Sequence, residues 1–322
     1  MKGLDFDDIL LLPRGSTVNS RDSADISVQL GEDLTLDIPI IASPMKGIVS
    51  VGLIKEMDKL GGIGILHKFY DDWEQWNEDL VSLKNVKFGA AIGLNEGSKS
   101  QVAINHGAKI LCIDVANGYL ETVLRFTEKV SAYIANGNFD TLLMVGNIVT
   151  ADGARNLSLA GADLIRVGIG SGNLCTTRNV TGVGMPQLTA IKNTSSINDK
   201  YNTLPRFIAD GGIRNSGDAV KALVFGADAV MLGSLLATTY ESANNGIIYG
   251  MASRRMQDEY YHGIKSVEGI EQSVTPVRPL AEFIDEFTYG IKSACTYLNA
   301  PNLRRLRNAN YVEVSHNSIK KL

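Results

Sequence analysis

Two glycine-rich stretches carry the residues whose types and spacing suit chemistry. The first, Arg166–Ile191, reads RVGIGSGNLCTTRNVTGVGMPQLTAI and places Gly168, Gly170 and Gly172 just ahead of Cys175. Glycine admits positive φ and lets a ligand approach the backbone closely. A thiol on such a loop is a nucleophile if its pKa is depressed; otherwise it is a small buried hydrophobe, the usual fate of an unpaired cysteine. The second stretch, Phe207–Ser234, reads FIADGGIRNSGDAVKALVFGADAVMLGS. Asp210 precedes Gly211-Gly212, and Gly233-Ser234 closes the next apolar run. A carboxylate there can accept hydrogen bonds from a ribose diol, and backbone N–H groups at two such turns can hold a phosphate. Glycines that merely form tight turns would look the same.

These loops need elements to position them. Eight short apolar runs recur along the chain: Pro39–Met45, Gly62–Leu66, Phe88–Gly93, Ile110–Ala116, Leu142–Ile148, Leu164–Ile169, Arg206–Gly212 and Ala229–Ser234. They are rich in Ile, Val and Leu and mostly non-alternating, the pattern of strands buried on both faces of a parallel sheet. Helical spacing fills the intervals, as in Val49–Leu60, Leu120–Ala135, Ala151–Ala160 and Ser216–Phe225. Gly61, Gly107, Gly161 and Gly226 stand where a helix C′ glycine belongs. Eight such units predict a closed (β/α)₈ barrel rather than an open doubly wound sheet.

A barrel of this kind puts its site at the C-terminal ends of the strands. The residues there are Ser43-Pro44-Met45, His67-Lys68, Asp114, Gly146-Asn147, Gly168–Thr177, Asp210-Gly211-Gly212 and Gly233-Ser234. Beyond the eighth strand, Tyr249–Pro276 reads as a long loop or flap and Leu280–Arg307 as a helical tail. The expectation is one catalytic domain spanning residues 1–322.

Composition narrows the function classes. The 322 residues are 44% hydrophobic and 20% charged, with a net charge of −4 and a pI near 5.7. This balance excludes a broad basic surface for nucleic acid or an anionic membrane. A charged ligand must therefore be held by a local site. No apolar run approaches the length of a membrane span, and the N-terminus does not read as a signal peptide. Cys112, Cys175 and Cys295 are odd in number and far apart, so a disulfide framework or a zinc site is not expected, and a reducing, cytoplasmic setting fits. Cys112 falls inside a strand and Cys295 inside the tail, both as core residues.

The chain resembles the family of inosine monophosphate dehydrogenase and guanosine monophosphate reductase. The resemblance is carried by Phe6–Pro13, Ser43-Pro44-Met45, Cys175-Thr176-Thr177-Arg178, Gly182-Val183-Gly184 with Pro186-Gln187, Ala209-Asp210-Gly211-Gly212 and Val230–Ser234, and it covers nearly the whole chain. It implies that Cys175 attacks C2 of a purine nucleotide. The dehydrogenase oxidises IMP with NAD and hydrolyses the covalent thioimidate. The reductase expels ammonia from GMP and reduces that intermediate with NADPH. Cys112–Tyr119, Met144–Thr150 and Lys292–Tyr297 resemble the reductase. The flap segment Arg254–Gly263 also lacks the Arg-Tyr dipeptide with which the dehydrogenases activate water. Asp210–Asp218, Met231–Ser234 and Val267–Glu271 resemble the dehydrogenase instead.

The resemblance further implies roles. Cys175 is the nucleophile, and Thr177 and Glu268 move the proton that lets ammonia leave. Asp210 binds the ribose, and Gly211, Gly212, Gly233 and Ser234 the phosphate region. Ser43 and Met45 line the nucleotide pocket, and Met251 lies against the base. Asp114 and Asn147 serve the nicotinamide end of NADPH. Lys68 joins them or is a solvated surface lysine. Backbone carbonyls of Gly170, Gly172 and Cys175 match a monovalent-cation site, for potassium, and a homotetramer is expected. The chain departs from the family at Ser171 (where the family has Pro), at Asn173 (a Ser that meets the phosphate), at Lys46-Gly47 after Met45, and at Lys265 (an Arg near the substrate). These departures surround the nucleotide and point to a variant substrate such as dGMP. A barrel that binds a purine nucleotide without catalysis is the remaining alternative.

Overall fold

Eight parallel strands close into a barrel in the computed structural model of the chain, which describes residues 3–94, 96–197, 205–244, 246–260 and 266–314. They are β1 (Ile40–Ala42), β2 (Ile63–Leu66), β3 (Phe88–Ile92), β4 (Ile110–Asp114), β5 (Leu142–Ile148), β6 (Leu164–Val167), β7 (Arg206–Asp210) and β8 (Ala229–Leu232). Each pairs with its neighbour in sequence, and the ring closes where Val230 of β8 stands opposite Ile40 of β1. The non-alternating apolar composition follows from burial on two sides: one set of side chains fills the barrel and the other meets the surrounding helices. The predicted runs coincide with these strands: Leu142–Ile148 is unchanged, Pro39–Met45 shortens to Ile40–Ala42, and the others lose one or two residues.

The barrel interior is packed with Ile41, Ile63, Ile65, Ala91, Ile110, Cys112, Met144, Leu164, Ile208, Ala229 and Met231. A short hairpin, Val28–Gln29 paired with Thr35–Leu36, adds Leu30, Leu34 and Leu36 to the same cluster. The hairpin lies just before β1, and Gly31 abuts the Leu142 side chain at the start of β5, so it seals the N-terminal end of the barrel.

Outside run α1 (Val51–Lys59), α2 (Trp73–Ser82), α3 (Gly97–Asn105), α4 (Glu121–Gly137), α5 (Ala151–Leu159), α6 (Thr177–Thr181), α7 (Gln187–Ser195) and α8 (Ser216–Val224). Ser50, Asp72, Thr150 and Asn215 cap α1, α2, α5 and α8 through side-chain acceptors, which satisfies otherwise orphaned amides. The expected C′ glycines are left-handed, Gly61 at φ +83° and Gly161 at φ +96°.

After β8 the antiparallel ribbon Ile247–Tyr249 with Glu271–Ser273 frames the predicted flap, beginning two residues ahead of it, and the flap holds the helix α9 (Arg254–Glu259). Lys265, assigned near the substrate, lies outside the described residues. The predicted tail is two helices, α10 (Leu280–Tyr297), packed on α8, and α11 (Leu303–Leu306). Residues Ile9–Leu11 pair antiparallel with Tyr311–Glu313, joining the two ends of the chain. No helix among the described residues is long and apolar enough to cross a membrane.

Candidate active site

The Cys175 loop leaves β6 through Gly168 (φ +148°) and Gly170 (φ +72°) and returns as α6. Cys175 is half-buried on it, and its N–H donates to the Gly172 carbonyl at 3.0 Å. The thiol faces Thr177: Sγ and Oγ1 are 3.1 Å apart. The other two cysteines are core residues, as expected. Burial pushes both Cys112 and Cys295 up to about 11, so neither carries a thiolate near neutral pH.

The loop is tied to the end of β7. Ser171 Oγ donates to the Asp210 carbonyl at 3.2 Å, and Gln187 reaches that carbonyl and the Val167 carbonyl from α7. Gly211 (φ +98°) lies so close that a Cβ there would stand 2.7 Å from Ser171 Oγ and 3.0 Å from Gly172 N. Gly212 (φ +80°) abuts Phe6, which the N-terminal segment tucks beneath the turn. The glycine spacing thus reflects a close approach of two loops as well as two turns.

A charged cluster occupies the mouth of the barrel, and its centre is a residue to which the sequence analysis assigned no role. Arg166 on β6 is 6% exposed. Its Nη2 donates to Asp210 Oδ2 at 2.7 Å, its Nε to the same oxygen at 3.2 Å, and its Nη1 to Asp114 Oδ1 and toward Cys112 Sγ. Burial disfavours the guanidinium charge, and Asp210 and Asp114 more than compensate, so its pKa stands above the ordinary arginine value. The available signal was an arginine inside an otherwise apolar buried strand, flanked in space by acids ending β4 and β7.

Lys68 and Asn147 complete the cluster. Lys68 bonds the Asp114 carbonyl and sits 3.4 Å from Asp114 Oδ2, so it belongs to the site and is not a solvated lysine. Burial raises the Asp114 carboxyl, but Lys68 and Arg166 outweigh it and hold the pKa at about 2. Asn147 Nδ2 donates to Asp210 Oδ2 and to the Gly168 carbonyl, each at 2.8 Å. Two carboxylates, two cations and one amide thus form a neutral network across β2, β4, β5, β6 and β7. Among the described residues Asp210 Oδ1 and Asn147 Oδ1 accept no hydrogen bond within the chain.

On the opposite side, Ser43, Met45 and Gly233 meet: Ser43 N donates to the Leu232 carbonyl, and a Cβ on Gly233 would stand 2.9 Å from Met45 Sδ. Ser234 is half-buried beside Gly233, whereas Asn173 is exposed. Lys46 lies 3.9 Å from the exposed Asp71 and close enough to His67 to act on its charge. Burial first, and Lys46 second, lower His67 to about 4. The neutral ring accepts the Phe69 N–H at Nδ1 and stacks on Tyr70.

The flap reaches the nucleophile through its backbone. Thr176 N donates to the Glu268 carbonyl, Ile270 N to the Leu174 carbonyl and Glu268 N to the Ala252 carbonyl, each at 2.9 Å. Glycines make this possible: a Cβ on Gly250 or Gly269 would meet neighbouring backbone at 3.0 to 3.1 Å. Glu268 is half-buried at the edge of the Cys175 loop, and its carboxylate makes no hydrogen bond or ion pair among the described residues. Met251 packs with Phe69, Tyr249 and Met256 in a small apolar cluster of the flap.

Residues 3–321 match the family model described as IMP dehydrogenase / GMP reductase domain. The chain is 35% identical to a GMP reductase of Photobacterium profundum, with 97% of this chain and 94% of that protein covered. It is 35% identical to a GMP reductase of Aliivibrio fischeri (94% and 92% covered). It is also 32% identical to an inosine-5′-monophosphate dehydrogenase of Cryptosporidium parvum (99% and 94% covered).

Proposed function

Because the chain belongs to the IMP dehydrogenase / GMP reductase family, we propose that it is a reductase: it converts GMP, or a close variant such as dGMP, to the deaminated nucleotide and ammonia with NADPH. The supporting observation is the composition of the closed flap. Cys175 Sγ faces the Thr177 hydroxyl at 3.1 Å beside Glu268, while Arg254 and Arg255 are followed by Met256 and Arg255 is held outward by Glu259 at 2.8 Å. A hydrolytic second half-reaction needs an activated water, and no Arg-Tyr dipeptide is present to make one.

In this mechanism the Cys175 thiolate adds to purine C2. Thr177 and Glu268 deliver a proton to the 2-amino group, and the C2–N bond breaks as ammonia leaves, giving a thioimidate on Cys175. A bound NADPH would supply a hydride to C2; expulsion of the Cys175 thiolate from C2 would then complete the exchange. Asp210 Oδ1 is oriented by the bonds to Oδ2 and can accept from the ribose diol. Gly211, Gly212, Gly233 and Ser234 present amides to the phosphate, Ser43 and Met45 flank the nucleotide, Asn173 lies at its phosphate end, and Met251 covers the base.

The residues present fit a nicotinamide group. Asn147 Oδ1 is unused within the chain and can accept from a carboxamide, while Asp114 and Lys68 stand beside it. They also fit a monovalent cation: backbone carbonyls of Gly170, Gly172 and Cys175 are neutral oxygens, which suit a large, weakly charged ion such as K⁺. We further infer a homotetramer of the 34.8 kDa chain in a reducing cytoplasm, where its free cysteines persist.

The dehydrogenase reading is favoured by the similarity to the Cryptosporidium enzyme over 99% of this chain and by the segments Asp210–Asp218, Met231–Ser234 and Val267–Glu271. Mixing the protein with GMP and NADPH, with dGMP and NADPH, and with IMP and NAD, while following reduced-nicotinamide absorbance, decides between them. Oxidation of NADPH that requires GMP or dGMP and disappears in Cys175→Ala supports the reductase. NADH formation from IMP overturns it. Silence in all three leaves a nucleotide-binding barrel without catalysis.

A further inference from the structure

Lys68, paired with Asp114, stands beside the ring of the residue that follows it. Phe69 is 2% exposed, yet it belongs to no part of the barrel core: its buried partners are Tyr249 and Met256, with Met251 and Tyr260 packed around them, all from the flap. The Tyr260 ring meets Phe69 edge-on, with centroids 5.0 Å apart and planes at 84°. The Lys68 ammonium stands 5.2 Å from the Phe69 centroid and 3.4 Å from Asp114 Oδ2. Tyr260 OH also approaches the Lys68 carbonyl at 3.5 Å. A lysine has the most rotamer freedom to lose on being fixed, and here an aromatic face and a carboxylate confine it between them.

The same flap is stitched to the Cys175 loop at its other end, through the Thr176–Glu268 and Ile270–Leu174 backbone bonds. We propose that Phe69 is a positioning residue: by docking in the flap cluster it couples closure over the Cys175 loop to placement of Lys68 against Asp114. The idea rests on the assignment of Lys68 and Asp114 to the cofactor end. With the flap docked, Lys68 is fixed and the nucleophile loop is covered together. With the flap undocked, Phe69 loses its pocket and Lys68 its aromatic wall.

The test uses the full chain with Phe69→Ala, Phe69→Leu and Tyr260→Ala. Lysines are acylated with limiting acetic anhydride and mapped by mass spectrometry, Cys175 is trapped with a 6-chloropurine ribonucleotide, and turnover of GMP with NADPH is followed. Lys68 should acylate about tenfold faster in Phe69→Ala, as expected for loss of a desolvated cation–π contact, with Tyr260→Ala and Phe69→Leu intermediate. The exposed Lys59 should not change. The kcat should fall by a similar factor at nearly constant nucleotide KM, while Cys175 trapping persists. Unchanged Lys68 acylation in Phe69→Ala overturns the proposal. So does loss of trapping in proportion to turnover, which would mark general damage to the fold. If the unmodified protein turns over neither nucleotide, the proposed reaction fails, and the acylation pattern alone still decides the role of Phe69.

Discussion

Arg166 donates to Asp210 at 2.7 Å and holds Asp114 with a second nitrogen, so one guanidinium joins the end of β4 to the end of β7. The barrel mouth is therefore braced between these two strands. Holding three charges at low exposure works only while they are paired; an unpaired buried charge costs several kcal/mol.

Replacing Arg166 with Met should destabilise the protein by about 3–5 kcal/mol, because two carboxylates lose their shared partner. Urea unfolding compared with the parent measures this. A loss below about 1 kcal/mol would mean that water screens the pair, as on a surface.

Asp114 gives an acid-side signature. Its folded pKa of about 2 lies below the unfolded value, so its contribution is complete above about pH 4 and is lost as pH falls toward 2. That contribution is about 2 kcal/mol. The stability gap between the parent and Asp114→Asn should shrink across this window; a constant gap would contradict the network.

His67 acts on the same acid limb, but nearer neutrality. Its folded pKa of about 4 lies below the usual 6.5, so the unfolded chain binds its proton first and stability declines as pH drops from 6.5 toward 4. His67→Gln should remove about 2 kcal/mol of that decline between pH 7 and pH 5. Chemical unfolding at these two pH values checks it, and parallel curves for parent and variant would rule it out.

Gly211 and Gly182 offer a matched pair. Both are left-handed, at φ +98° and +71°, but a Cβ on Gly211 would strike Ser171 and Gly172 whereas one on Gly182 meets nothing within 4 Å. Gly182→Ala should cost only the backbone term, about 1–2 kcal/mol. Gly211→Ala should in addition push the Cys175 loop aside and raise nucleotide KM about tenfold or more, in keeping with the sensitivity of catalysis to small misplacements. Equal KM values would show that the loop yields without effect.

Thr177→Val keeps the volume and removes the hydroxyl facing Cys175. It should lower kcat by about 10²–10³, the usual range for a lost proton-transfer group, while trapping of Cys175 by the chloropurine nucleotide continues. Loss of both would place Thr177 in activation of the thiol instead.

Much of this architecture was legible beforehand. Runs such as Phe88–Ile92 are apolar at every position because both faces of the strand are covered, so strand type and parallel pairing could be read together. The loop ends carrying Asp114, Cys175 and Asp210 followed from that. Arg166 did not, because a charge in a strand has no periodic signature and its meaning comes from acids 52 and 44 residues away. The ribbon of Ile9–Leu11 with Tyr311–Glu313 was equally hidden, since its partners sit at opposite ends of the chain. Lys68 stood open between the site and the surface until its ion pair was visible, and Phe69, apolar in a loop, showed no reason for its burial until the flap that covers it was in place.

The hairpin that seats Leu30, Leu34 and Leu36 under the barrel extends an interior already filled with side chains, so the barrel is a plugged cylinder and not a pore. Floor and mouth then answer to different demands. A mutation that loosens the floor should lower stability, while the loops at the mouth, braced by Arg166, keep their places.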